Sequence, residues 1–172
     1  MTDQPLDESF LATGLCFIDV AASLEASPDE VWAGFADLNQ SVFLPGFRAE
    51  RSGPLPGTVG TTRTVSTLGG RLTFEEFYFL WDDTQRRRAF YVTGHRHPLF
   101  TQLAIAEEHH VLPRPGGGSI LVWRLITERT PRLQLASKAL TPALSRLVTR
   151  RFVNRFDGRP GKATESTETT RR

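Results

Sequence analysis

Residues 131–156, PRLQLASKALTPALSRLVTRRFVNRF, are the one long stretch whose apolar residues follow helical spacing. Leu133, Ala136, Leu140, Leu144, Leu147, Phe152 and Phe156 recur at helical steps, which predicts a shared apolar face. Arg146, Arg150, Arg151 and Arg155 interleave with them and mostly point elsewhere. Nearly everything before this segment reads as short strands. A single helix with a broad apolar stripe must bury it against another layer, and the strands are the layer on offer. The expected architecture is a curved sheet whose concave face the helix covers, with a pocket between them. Pro142 lacks a backbone donor and clashes with the preceding turn, so it predicts a kink, or a break with Thr141 capping a restarted helix.

The strands follow from alternation and from turn chemistry. In residues 15–26, Ile18, Val20, Ala22 and Leu24 fall on one face, and Asp19, Ser23 and Glu25 on the other. A helix start follows: Ser27 as N-cap, Pro28 at the first helical position, Glu30 completing a capping box, and Val31, Trp32 and Phe35 as an apolar stripe. Residues 37–42 predict a second short helix, ended by Pro45-Gly46. Further strands are predicted at 47–52, 60–68, 71–81, 86–94, 103–112 and 119–128. Between them lie turn-rich segments, among them Gly69-Gly70 and the Pro/Gly hairpin 113–118. Hairpins at nearly every junction exclude a parallel sheet. Residues 1–10 predict a flexible N-terminus, 11–157 a single domain, and 158–172 a disordered polar tail.

The order of elements carries a resemblance, together with four motifs: ASPDEVWAGFADL after the first strand, PGTVGTTRTV, the strand and turn ending FLWDD, and GGSILVWRL before the final helix. The chain resembles the START-like (SRPBCC) helix-grip superfamily and, within it, the polyketide cyclase/dehydrase-like branch, over residues 15–156. The resemblance implies an α+β fold: a curved antiparallel sheet of about seven strands wrapped round a long C-terminal helix, with two short helices after the first strand. It also implies a deep apolar cavity between sheet and helix. The superfamily includes cyclases, aromatase-like enzymes, dehydratases, lipid and sterol carriers, hormone receptors and stress proteins, so the motifs specify fold far better than function.

Alternation selects the pocket lining. On residues 103–112, Leu103, Ile105, Glu107, His109 and Val111 share the bulkier apolar face, which is taken as inward. On the last strand Leu121, Trp123 and Leu125 are inward. Residues 71–81 are apolar on both faces; the set Leu72, Phe74, Glu76, Tyr78 and Leu80 is chosen by analogy with the family pattern, and a bulge would shift it. These parities bring Glu76, Tyr78, Glu107, His109 and Trp123 into one cavity. The ligand-binding set is then Tyr78, Trp123, Leu121, Ile105, Phe74, Leu140 and Leu144, and the acid/base candidates are Glu76, Glu107 and His109. A buried carboxylate beside an imidazole suits cyclase or dehydratase chemistry, because each shifts the other's pKa. The alternative is an apolar cavity whose glutamate and histidine simply pair with each other.

Other features read as structural. His95-Arg96-His97 lacks a clear third metal ligand. Cys16, the only cysteine, permits neither an intrachain disulfide nor a cysteine zinc cluster. Arg86-Arg87-Arg88 reads as a solvated rim balanced by Asp82 and Asp83, and the helix arginines as a solvated face or a surface for an anionic lipid or acidic partner. Phe43, Leu44 and Pro45 are placed at the cavity mouth. A net charge of +2 without a dense basic run argues against nucleic acid, and no run approaches a transmembrane span. A cytoplasmic protein is expected, a monomer or homodimer without a cofactor. Its expected role is to bind a small apolar, lipid- or polyketide-like molecule, to act as a cyclase/dehydratase-type enzyme, or to serve as a protein-interaction module.

Overall fold

The computed structural model describes residues 5–36, 46–52, 57–95, 104–156 and 158–160. Its described strands are β1 (Leu15–Leu24), β2 (Arg48–Ser52), β3 (Thr62–Thr67), β4 (Leu72–Asp82), β5 (Arg87–His95), β6 (Ile105–Pro113), β7 (Ser119–Thr127) and β8 (Gly158–Pro160). They form one antiparallel sheet in the order β2-β3-β4-β5-β6-β7-β1-β8. Among the described residues three α-helices accompany it: α1 (Glu8–Thr13), α2 (Pro28–Ala36) and α3 (Pro131–Phe156). This is the helix-grip architecture expected from the strand run and the final helix.

α2 starts as its sequence dictates. Ser27 N donates to Glu30 Oε2 at 2.8 Å and Glu30 N donates to Ser27 Oγ at 3.3 Å, which closes the capping box. Its Val31, Trp32 and Phe35 are buried with Ile18, Val20, Leu24, Val111, Leu121, Trp123, Val148 and Phe152 in the main core, between α3 and the concave face. The two-residue hairpin signal at Gly69-Gly70 becomes a short 3₁₀ turn, with Gly69 at φ 66°. At the other hairpin Gly118 is required: its φ is 76°, and a Cβ there would sit 2.2 Å from the Leu24 carbonyl oxygen.

Both ends of the chain carry structure where none was expected. Asp7 caps α1 by accepting from Ser9 N at 2.9 Å. Leu6, Phe10 and Leu11 then pack on Ala89, Ala106 and Ile126 and cover part of the sheet's convex face. A polar composition hid these few apolar residues. Residues 158–160, assigned to the tail, pair with Ala22, Ser23 and Leu24 as an edge strand. The predicted second helix at 37–42, Phe43, Leu44, Pro45 and the Arg96-His97 pair lie outside the described residues.

α3 runs unbroken through Pro142. Pro142 and Lys138, whose carbonyl loses its donor, are both exposed residues, where an unpaired carbonyl costs far less than in a core. Thr141 caps nothing. Its hydroxyl donates to the Phe17 carbonyl, which is free because a bulge between Cys16 and Ile18 takes Phe17 out of the β1–β7 ladder. The buried face of α3 is also rotated from the expected stripe. Val148 and Phe152 are buried and Leu144, Val153 and Phe156 pack beside them, whereas Leu140 and Leu147 are 51% and 45% exposed. The leucine spacing alone placed the stripe too far round the helix, because Thr141, Ser145 and Val148 belong to the inner side.

Candidate functional site

The strand register assembles two rows of side chains across the concave face. One row runs Trp81–Arg88–His109–Trp123–Val20 from β4 to β1. The other runs Tyr78–Phe90–Glu107–Leu125–Ile18. Beside them, Arg63 lies opposite Glu76 and Val65 opposite Phe74. Because neighbours in a row project to the same side, residues remote in sequence meet under α3. A shift in register between Tyr78 and Leu80 flips the end of β4. Leu80, expected inward, packs on the convex side with Ala89, and Trp81 takes the inward place.

Beneath α3 is a cavity of about 320 Å³. Its wall is mostly apolar: Ile18, Val65, Leu72, Phe74, Val92, Ile105, Trp123, Leu125, Val148 and Phe152. The polar exceptions among the described residues are Arg63, Glu76, Arg88, Glu107, His109 and Arg151. All three acid/base candidates therefore face it, as do Phe74, Ile105 and Trp123. Four of the expected ligand-binding residues do not. Tyr78 is fully buried against Phe90 and Trp81, and Leu121 is fully buried in the core. Leu144 packs against that core, and Leu140 faces solvent.

Each charged group on the wall has a distinct environment. Arg63 donates from Nε to Glu76 Oε2 at 2.7 Å, and both side chains are nearly dry. Burial pushes the Glu76 carboxyl up, and the Arg63 guanidinium beside it pulls the other way. Glu107 accepts from Trp123 Nε1 at 2.9 Å. Burial, reinforced by the nearby Glu76, pushes its carboxyl up to about 7. Burial, then the charges of Arg88 and Arg63, hold His109 well below the ordinary imidazole value, so it is neutral at physiological pH. Its Nδ1 is buried without a partner among the described residues. Glutamate and histidine thus do not neutralise each other; they are poised separately along one wall.

Two buried arginines were not anticipated. Arg63 sits in a Thr- and Val-rich strand and gives no signal of its own beyond inward parity. Arg88, read as part of a solvated rim, has no exposed surface. Alternation separates the three arginines: Arg86 pairs with Asp29 at 2.7 Å, Arg87 pairs with Glu108 and Glu8 on the convex side, and Arg88 turns inward. Its Nη1 donates to the Phe35 carbonyl, and its guanidinium lies 4.9, 5.6 and 5.5 Å from the ring centroids of Phe35, Tyr78 and Trp81. Burial brings its pKa down to about 10, so it remains charged. Among the described residues there is no group of three potential metal ligands, and no helix is long and apolar enough to cross a membrane.

No family profile matches the chain, and no curated protein matches it in sequence. Solved structures do match its fold. A protein from Nitrosospira multiformis is 17% identical, covering 90% of this chain and 99% of its own, with a TM-score of 0.58. Norcoclaurine synthase from Thalictrum flavum, solved with dopamine and hydroxybenzaldehyde, is 19% identical over 87% of this chain and 96% of its own, with a TM-score of 0.54. The major latex-like protein 151 of Panax ginseng is 15% identical over 81% and 95%, with a TM-score of 0.54. The chain has the START-like, Bet v1-like helix-grip fold that these proteins share.

Proposed function

We propose that the protein binds a small apolar or aromatic molecule in the cavity between the sheet and α3. The observation that carries this reading is the cavity itself: about 320 Å³ of space with an apolar wall and a few convergent polar groups. That volume stands at the small end of the usual range for ligand pockets, roughly 300–1,000 Å³. A molecule of one to three rings, or a short acyl chain, suits it better than a bulky sterol. Norcoclaurine synthase, of the same fold, is described with two small aromatic molecules bound, which supports the ligand class without naming the ligand. The test is native mass spectrometry of the protein as purified, followed by thermal denaturation against fatty acids and flat polycyclic compounds. Binding to the folded state raises the melting temperature. A protein that carries nothing and shifts with no compound would overturn the reading.

A second reading is favoured by one observation. Glu107 has a carboxyl at about 7, where a group exchanges protons most effectively at neutral pH. Beside the neutral His109 it is equipped to take a proton next to a carbonyl and to return one to a leaving hydroxyl, as a polyketide cyclase or dehydratase requires. Once a bound compound is known to turn over, Glu107→Gln is expected to lower kcat at least about 100-fold while affinity changes only a few-fold. Unchanged turnover would leave binding as the function.

A further inference from the structure

We infer that the cavity is built for an apolar anion, a carboxylic acid whose carboxylate seats against Arg88 while its hydrocarbon fills the space under α3. The inference rests on the reading of the cavity as a ligand site and adds the charge of the ligand to it.

The argument is a charge account of the inner wall. Arg63 and Glu76 satisfy each other in a direct ion pair. Glu107 accepts from Trp123 Nε1 and forms no ion pair with an arginine among the described residues, although Arg63 and Arg88 are near enough to pull its carboxyl down against burial. Arg88 is left with no carboxylate in contact among the described residues, although it lines the cavity and is completely removed from bulk water. Its Nη1 has a carbonyl partner, but its Nε is a buried donor without one. Aromatic faces on three sides soften the charge without neutralising it. A buried cation with no carboxylate in direct contact is costly for a core to hold, and retaining it is intelligible where an anion arrives from outside.

A second group points the same way. His109 lies directly opposite Arg88 in the β5–β6 ladder, lines the same cavity, and has a buried, unpartnered Nδ1. In the tautomer that carries its proton on Nδ1 it is a second buried donor, on the residue that faces Arg88 across the ladder. Two unsatisfied donors on facing residues suit the two oxygens of one carboxylate. The third arginine of the wall, Arg151, is exposed on α3 and places positive potential at the rim. Among the described residues the wall offers no free buried anion for a cationic ligand: Glu76 is paired with Arg63, and burial favours the neutral form of Glu107.

The test compares isosteric acids and amides by calorimetric titration of the full chain at neutral pH: 2-naphthoate against 2-naphthamide, and decanoate against decanamide. The acids are expected to bind about tenfold or more tighter than their amides, the usual scale for a charge-assisted hydrogen bond. In Arg88→Met the acid preference is expected to vanish while the amides keep their affinity. In Arg146→Gln, at an exposed position of α3 that does not line the cavity, the preference is expected to survive. Should Arg88→Met prove poorly folded, Arg88→Lys supplies the second measure, since it keeps a charge but loses the planar donor fork; the preference is expected to fall without disappearing. Acids and amides that bind equally well would overturn the anion site and leave the apolar pocket standing. A preference that persists undiminished in the Arg88 variants would overturn the role of Arg88. Binding of neither class would overturn the pocket reading along with the inference.

Discussion

Glu107→Gln isolates a single titration in the cavity wall. Glutamine keeps the shape of the side chain and an oxygen to accept from Trp123 Nε1, so the change removes one proton equilibrium and little else. The folded protein holds the Glu107 proton up to about pH 7, whereas the unfolded chain releases it near 4.5. Between those values the folded state binds more protons, so the contribution of Glu107 to stability falls as pH rises. At roughly 1.4 kcal/mol per pH unit, the loss amounts to at most about 3 kcal/mol by neutral pH. His109 acts in the opposite sense. It is neutral when folded and protonated when unfolded below about 6.5, so its contribution rises with pH up to that value. The two slopes overlap just below about 6.5, where they partly cancel in the wild type. Urea unfolding followed by tryptophan fluorescence from about pH 4 to about pH 8, run on wild type and variant side by side, isolates the Glu107 contribution as their difference. In Glu107→Gln the Glu107 share of the falling slope is gone, while the rising share of His109 remains. The stability of the variant relative to wild type grows by up to about 3 kcal/mol between roughly pH 4.5 and 7, then levels off. A difference that does not change with pH would refute the placement of Glu107 in a dry, carboxylate-repelling environment.

Three further outcomes follow from packing and pairing. Arg63→Met strands the Glu76 carboxylate and is expected to cost about 3–5 kcal/mol in chemical denaturation, most of which Arg63→Met/Glu76→Leu restores. Equal losses in the single and the double variant would show that the ion pair is not what matters. Phe152→Ala is expected to cost about 3–5 kcal/mol, because the side chain joins α3 to α2 and the sheet. Leu147→Ala, on the outer side of the same helix, is expected to stay within about 0.5 kcal/mol. Comparable losses at both positions would mean that the buried face of α3 is misplaced. Gly118→Ala forces a Cβ against the Leu24 carbonyl at a left-handed φ and is expected to lower stability by about 1–3 kcal/mol in thermal unfolding. An unchanged midpoint would argue against that turn geometry.

The parts of the fold governed by local chemistry were legible. The Ser27–Glu30 capping box, the hairpins and the strand alternation all act over a few residues, and each element they announce is present. Inward parity on β6 and β7 was legible too, since one face is distinctly bulkier. It placed Glu107, His109 and Trp123 correctly. β4 was ambiguous because both of its faces are apolar, and the irregularity before Leu80 is set by pairing with β5, a tertiary event without a local signature. The outward turn of Leu140 and Leu147 has the same origin. Leucine spacing defines a stripe, but the phase of α3 is set by its contacts: Thr141 reaching the bulged Phe17 carbonyl, and Val148 and Phe152 meeting the core.

Arg88 shows where a sequence pattern misleads and what would have corrected it. Three consecutive arginines beside a turn look like a solvated edge, and two of them do pair at the surface. A strand cannot point consecutive residues the same way, so either Arg87 or Arg88 must face inward. Phe90 shares the parity of Arg88, and a large aromatic residue on a half-covered sheet belongs on the core side. Ala89, the small residue between them, leaves room for α1 on the other face. Extending the already inward His109 across the β5–β6 hairpin gives the same answer, since Arg88 is its direct partner. The cue was therefore present in the strand period but outweighed by composition. Its consequence is electrostatic. Glu76 is paired, burial raises Glu107, Arg88 keeps its charge, and the inner wall is left with a positive bias. An apolar cavity with a positive wall discriminates between an acid and its neutral isostere, which apolar packing alone cannot do.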